Sequence, residues 1–297
     1  MDLVLHLADD YLLDKVWARL LPLNHYLASS PYVASSNFTS ISYPPLQSAW
    51  PRDYVPRQII SLTVITLFGI HCLYFLFAWL SYKFIFNHDM MRHPRFLANQ
   101  VKQEIQCSLR AFPMMTLLTL PWFQAEVMGY SKLYDNVEEY GWGYLALSVP
   151  FFLFFTDYGI YWIHRLLHHP SIYKTFHKPH HKWIIPTPFA SHAFHPVDGY
   201  LQSVPYHLYI FLFPLHRLTF LGLFVFVNFW SILIHDSDMI TGHVLEKVIN
   251  GPAHHTLHHL YFTVNYGQYF TWADRVGGSY RQPESCLDPM LEVKKQS

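Results

Sequence analysis

Residues 59–82 contain no charged side chain, and that run constrains the fold more than any other feature of the chain. It is long enough to cross about 30 Å of hydrocarbon, where backbone groups have no water to pair with and a spanning segment must be helical or part of a closed barrel. Three further apolar stretches follow. One runs from Ala111 to Met128 and is interrupted by Pro113 and Pro121; one runs from Tyr144 to Ile163; a third, 199–234, is broken at Pro214, His216 and Arg217 and reads as a helical hairpin. The expected fold is therefore an all-α integral membrane protein, with about four spans in two hairpins and a helical cap. Its expected segments are an N-terminal part (1–57), the first three spans (58–163), a histidine-rich region containing the hairpin (164–279) and a tail (280–297).

Charge asymmetry orients these spans. Lys83, Arg92, Arg95, Lys102 and Arg110 make the first connection basic and hence cytosolic, whereas SKLYDNVEEYGWG is acidic and luminal. Asn37, in the sequon NFTS, then falls in the lumen, and every histidine cluster falls on the cytosolic side. The opening MDLVLHLADDYLLDKVW has no basic leader, so targeting is expected from internal apolar segments. The terminal KKQS fits a di-lysine retrieval signal read by coat proteins, which makes the endoplasmic reticulum the expected membrane. Lysine plus arginine equal aspartate plus glutamate at 20 each, which offers nothing to nucleic acid. Cys72, Cys107 and Cys286 lie far apart without CxxC spacing, which excludes a disulfide framework or a cysteine zinc site.

The chain has 21 histidines, and their clustering points to chemistry. His164-x-x-x-His168-His169 stands at the exit of the third span. His177-Lys-Pro-His180-His181 and His254-His255-Thr-Leu-His258-His259 follow, the latter behind the helix-start signal Gly251-Pro252. Spacings of three and four put imidazoles on one helical stripe, so each of the last two clusters is expected to present three rings together. His235 closes the last apolar arm. So many imidazoles in one compact region need partners, and they exceed one coordination sphere, so two metal ions are expected. Imidazole suits iron, copper, nickel and zinc alike. In a membrane setting the natural substrate is a lipid, and a saturated carbon yields to a redox metal that activates O2, not to a side-chain base. His6, His25, His71, His88, His93, His207, His216 and His243 are read as ordinary structural histidines, with His192 and His195 of SHAFHP intermediate. Asp157 and Tyr161 lie on the face of the third span that leads to His164. An intramembrane carboxylate is costly, so Asp157 is expected to accept the N–H of a ligating histidine. Pro186, Thr187 and Phe189 are candidate walls of a substrate pocket.

The motifs TDYGIYWIHRLLHH, HKPHH, PTPFASHAFHPVDG, GPAHHTLHH and NYGQYFTWADRVGGS resemble those of the sterol C-5 desaturases, of lathosterol oxidase type, in the fatty-acid hydroxylase superfamily. The likeness spans 58–279. It implies removal of two hydrogens across C5 and C6 of a Δ7-sterol by a di-iron centre, with O2 as co-substrate and electrons from cytochrome b5 and its NADH reductase. Zinc is a substitute to expect in recombinant protein. The resemblance assigns His164, His168, His169, His177, His180, His181, His255, His258 and His259 to the histidine boxes. Related lipid hydroxylases carry a further HxxxH pair; His235 fits its first position, but Met239 occupies the second. His195, His243 and His254 are the alternatives for the missing ligands. Within the same chemistry, a C4-methyl sterol oxidase or a fatty-acyl hydroxylase is the competing reading. A transporter is disfavoured, because its ligands would sit at the bilayer midplane in broken helices.

Overall fold

A computed structural model of the chain describes residues 1–23 and 47–295; Asn37 with its sequon, His25 and the last two residues of KKQS lie outside them. The described chain is mostly helical and forms two compact units.

The first unit comprises Met1–Thr66 with Leu120–Gly129. Its helices α1 (Asp2–Ala8) and α2 (Asp14–Leu20) are joined by one wider turn, and it also holds the start of α3 (Val55–Phe84) and the end of α4 (Gln100–Val127). Leu5, Leu62, Leu120 and Phe123 make its apolar core. Arg57 is buried there because it is paired, donating to Asp9 Oδ1 at 2.7 Å and to Asp14 Oδ1 at 2.5 Å. The amino terminus ion-pairs with Glu126. The N-terminal segment thus begins as packed helix.

The second unit comprises Leu67–Thr119 and Tyr130–Ser297. Its frame is α5 (Gly141–Leu167), α7 (Pro196–Leu212) and α8 (Arg217–Ile234), with the short α6 (Pro170–Phe176), α9 (Pro252–Tyr261) and α10 (Trp272–Gly277) around their ends and α11 (Met290–Lys294) packed on the turn His88–Arg92. Among the described residues, α3, α5 and α8 are long and apolar enough to cross a membrane. At 17 residues α7 is shorter, and α4 carries Lys102, Glu104, Arg110 and Glu126. Prolines inside α5 (Pro150) and α7 (Pro205) do not end those helices. At the α5–α7 crossing, a Cβ on Gly159 would stand 2.8 Å from Pro205 Cγ, so only glycine permits this approach.

One feature departs from an all-helical fold. Leu133–Tyr134 (β1) and Leu215–His216 (β2) pair in parallel. The two connections meet where helices stop, and their orphan backbone groups satisfy one another. Arg217 Nε to Asp135 Oδ1 at 2.6 Å fastens the same end. The acidic loop and the hairpin tip therefore share one end of this unit. The histidines gather at the other, a helix length away.

Candidate metal centre

Nine histidines converge from four places: the last turn and cap of α5 (His164, His168), the turn after α6 (His177, His180, His181), the cap of α8 (His235), and α9 (His255, His258, His259). They form two groups. His164, His168, His177, His181 and His258 make one, His180, His235, His255 and His259 the other, and within each the candidate ligand atoms lie within 4.8 Å of one another.

The expectation of three rings on one stripe is corrected here. In the second box His177 and His181 join the five-histidine group, while His180 joins the other. In the third box His255 and His259 join the four-histidine group, while His258 crosses to the first. Positions i and i+4 keep company in both boxes, and the ring at i+3 leans across. Successive residues point about 100° apart on a helix, so i+3 and i+4 flank the stripe on opposite sides.

The tautomers decide what the groups can hold. His164 Nδ1 donates to Tyr266 O at 3.0 Å and His177 Nδ1 to Asp198 Oδ2 at 2.8 Å, so each ring turns its Nε2 toward the group. Those two nitrogens face each other at 3.0 Å. Two imidazole nitrogens that close are held together by a shared proton or by a metal ion between them. His258 Nδ1 is likewise committed to Val264 O (2.7 Å), His235 Nδ1 to Ser231 O (2.6 Å) and His259 Nδ1 to Trp183 O (2.9 Å). The Nε2 separations of 3.0–3.3 Å fit ligands at about 2.0–2.1 Å from a common ion. Burial, followed by the neighbouring imidazoles, pushes His180, His181, His255, His258 and His259 well below the ordinary histidine range. Burial brings His235 down to about 4. These six rings are thereby held neutral, as metal ligands must be.

His169 is not brought to either group: it is exposed, and its Nδ1 caps α6 by accepting from Ser171 N at 3.4 Å. None of the three alternatives reaches the groups either. His195 Nδ1 caps α7 and His243 Nδ1 caps the turn 244–247, while His254 is buried beside Tyr280. Met239 packs with Ala253 and Leu257 in an apolar cluster, away from a ligand's position.

Asp157 does not take a histidine proton. Its Oδ1 accepts three successive backbone amides, Gln268 (3.0 Å), Tyr269 (2.7 Å) and Phe270 (3.2 Å). Tyr161 is not at the metal groups either; its hydroxyl meets Ser279 Oγ at 3.2 Å and accepts from Arg165. Both hold the loop 264–279, helped by Asp274, which accepts from Tyr266 N and Gly267 N at 2.8 Å each. That loop supplies the carbonyls of Val264 and Tyr266 that anchor His258 and His164. The reason is local: a non-helical run packed against a membrane helix has amides that only a buried acceptor can satisfy. The carboxylate on a ligating histidine is Asp198, which sequence reading missed. Its signal was HPVDG, an acidic residue in the first turn of a helix begun by Pro196. Thr187 is also a strut, donating to buried Glu104, whose Oε1 also accepts from Gln100 at 2.7 Å.

Residues 149–279 match the model of the fatty acid hydroxylase family. The chain is 54% identical to a delta(7)-sterol 5(6)-desaturase of Gibberella zeae, covering 99% of this chain and 93% of that one. It is 49% identical to one from Schizosaccharomyces pombe (96% and 85% covered) and 52% identical to the lathosterol oxidase of Homo sapiens (88% and 87%). No solved structure matches.

Proposed function

The chain belongs to the delta(7)-sterol 5(6)-desaturase and lathosterol oxidase family and is an oxidoreductase, and from that premise we propose that it introduces the C5–C6 double bond into a Δ7-sterol. One sterol, one O2, two electrons and two protons yield the 5,7-diene and two waters. Cytochrome b5, recharged by its NADH reductase, is the proposed electron source. Two iron ions are the proposed metals, one in each histidine group; zinc, which the same donors bind, is the ion to exclude in recombinant preparations.

The observation that carries this reading is the convergence of nine histidines into two groups, within each of which the candidate ligand atoms lie within 4.8 Å of one another. Bound iron would supply what no side chain can, one-electron activation of O2 for removing hydrogen from a saturated carbon. The chain's own residues set up that chemistry. Asp198 and the carbonyls of Tyr266, Val264, Ser231 and Trp183 retain the Nδ1 protons and aim each Nε2 inward. Burial excludes bulk water from both groups. A carboxylate on His177 makes that imidazole the more basic ligand.

Hydroxylation at the same centre is the second reading, favoured by the match to the fatty acid hydroxylase model; the names of relatives that cover nearly the whole chain favour desaturation. We further propose about four membrane crossings in two hairpins, with the metal groups and C-terminus on the cytosolic face of the endoplasmic reticulum. Retrieval would act through KKQS.

The test supplies iron-loaded protein in lipid with O2, NADH, cytochrome b5, its reductase and a Δ7-sterol, and follows the product by mass spectrometry. Loss of two hydrogens supports the proposal. Gain of one oxygen moves the reaction to hydroxylation, and an unchanged sterol with cytochrome b5 reoxidised contradicts the substrate.

A further inference from the structure

Outside the long helices, the second unit exposes a set of aliphatic side chains that no membrane span accounts for. Val244 is 80% exposed, Val276 85% and Ile240 68%, with Leu245 and Val248 also exposed. In a protein surrounded by water such a patch marks an interaction surface.

Two ring contacts and a hydrogen bond fix its height along α5. Phe270 stacks on Phe154 with ring centroids 4.8 Å apart, and Trp272 stacks on Tyr158 at 5.5 Å. Arg165 Nη1 donates to Gly277 O at 2.8 Å. The segment 270–277 thus runs beside the last turns of α5, starting about 20 Å before that helix ends at 1.5 Å per residue. The loop 244–250 is tied to that segment. Thr271 N donates to Val248 O at 2.9 Å, Thr271 Oγ1 to Lys247 O at 2.7 Å, and Ile249 bridges Phe270. Val248 and its neighbours therefore stand level with Phe154 and Tyr158, and Val276 stands level with Trp162 and Arg165.

Those α5 residues lie on its uncovered stripe: Phe154, Tyr158, Trp162 and Leu166 recur every four residues and are all exposed. On a helix apolar enough to cross a membrane, that stripe faces lipid. The aliphatic patch continues it sideways. Lys247, exposed, stands beside Val248, and Trp162 stands level with Val276. Aliphatic side chains entering lipid, a basic side chain beside them and a tryptophan at the boundary are the pattern of a segment lying in the membrane interface.

We propose that Ile240, Val244, Leu245, Val248 and Val276 form an in-plane anchor, seated between the headgroups and acyl chains of the bilayer beside α5. The anchor holds the histidine layer at the lipid surface. It rests on the lipid-facing stripe of α5 and is independent of the reaction assigned to the metals.

The experiment uses the full chain with Cys72→Ser, Cys107→Ser and Cys286→Ser, to which Val244→Cys, Val276→Cys or, as an exposed reference in the histidine layer, Lys174→Cys is added. Each is labelled with a small fluorophore and reconstituted into phosphatidylcholine vesicles, with bound metal measured to verify the fold. Labels at 244 and 276 lose most of their fluorescence to a nitroxide carried near the top of the acyl chain and keep it against aqueous iodide, while the label at 174 does the reverse. Iodide quenching at 244 and 276 as strong as at 174 would overturn the proposal. Quenching by neither agent would also overturn it, since the patch would then be covered by protein.

Discussion

The five-histidine and four-histidine groups draw on the same two boxes, yet their rings are held differently. In the first, His177 donates its Nδ1–H to the buried carboxylate of Asp198, and His164 and His258 donate theirs to carbonyls of the segment 264–279. In the second, His235 and His259 rely on backbone carbonyls. The first group thus has one more imidazole and a charged acceptor behind it. The second, with fewer donors, leaves more of a bound ion's coordination open to small ligands. The difference teaches that one HxxHH box does not make one site; the ring at i+3 stitches two sites together.

The largest expected effect comes from removing a crossing ring. His258→Ala takes a ligand from the first group and His180→Ala one from the second. Each should lower turnover by roughly 100-fold or more and release metal mainly from its own group. Metal analysis of the two variants would break the comparison if both lost the same ion.

Next is Asp198→Asn, which keeps the hydrogen bond's shape and removes its charge. Metal affinity of the five-histidine group should fall about 10–100-fold, with the other group unchanged, in a chelator titration. Equal loss from both groups would make Asp198 a general structural residue.

Asp157→Asn should act smaller and elsewhere. It weakens the clamp on Gln268, Tyr269 and Phe270, at a cost of about 1–3 kcal/mol, so abundance and thermal stability fall while activity per folded molecule is retained. Activity lost at unchanged abundance would return Asp157 to a direct role at a ligand. The smallest effect is that of His169→Ala, for which metal content and turnover should be unchanged; loss of an ion would restore His169 to the ligand set.

These contrasts also mark how far the sequence could be read. The apolar runs placed α3, α5 and α8, because length and absence of charge suffice to recognise a helix that must satisfy its own backbone. Nine of the ten histidines expected as ligands reach the two groups, because spacing by three and four is a local property of the backbone. His169 does not, because α5 ends at Leu167 and the next residue but one becomes the cap of α6 instead of continuing the stripe. Asp157 clamps backbone amides where a histidine contact was expected, and Asp198, which holds His177, was not read at all. Asp157 is near His164 in sequence, but which carboxylate meets which ring depends on how α7 and the loop 264–279 pack against α5. Long-range packing of this sort leaves no spacing to read. The parallel pairing of Leu133–Tyr134 with Leu215–His216 was illegible likewise, since two residues carry no periodicity.

The central claim is that nine imidazoles divide five and four around two metal ions. Mössbauer spectroscopy of protein loaded with iron-57, combined with iron and protein quantitation, tests it most directly. The account predicts two irons per chain and two distinct quadrupole doublets of equal area, one of which changes alone in Asp198→Asn. A single iron per chain, or two irons in one indistinguishable environment, would contradict it.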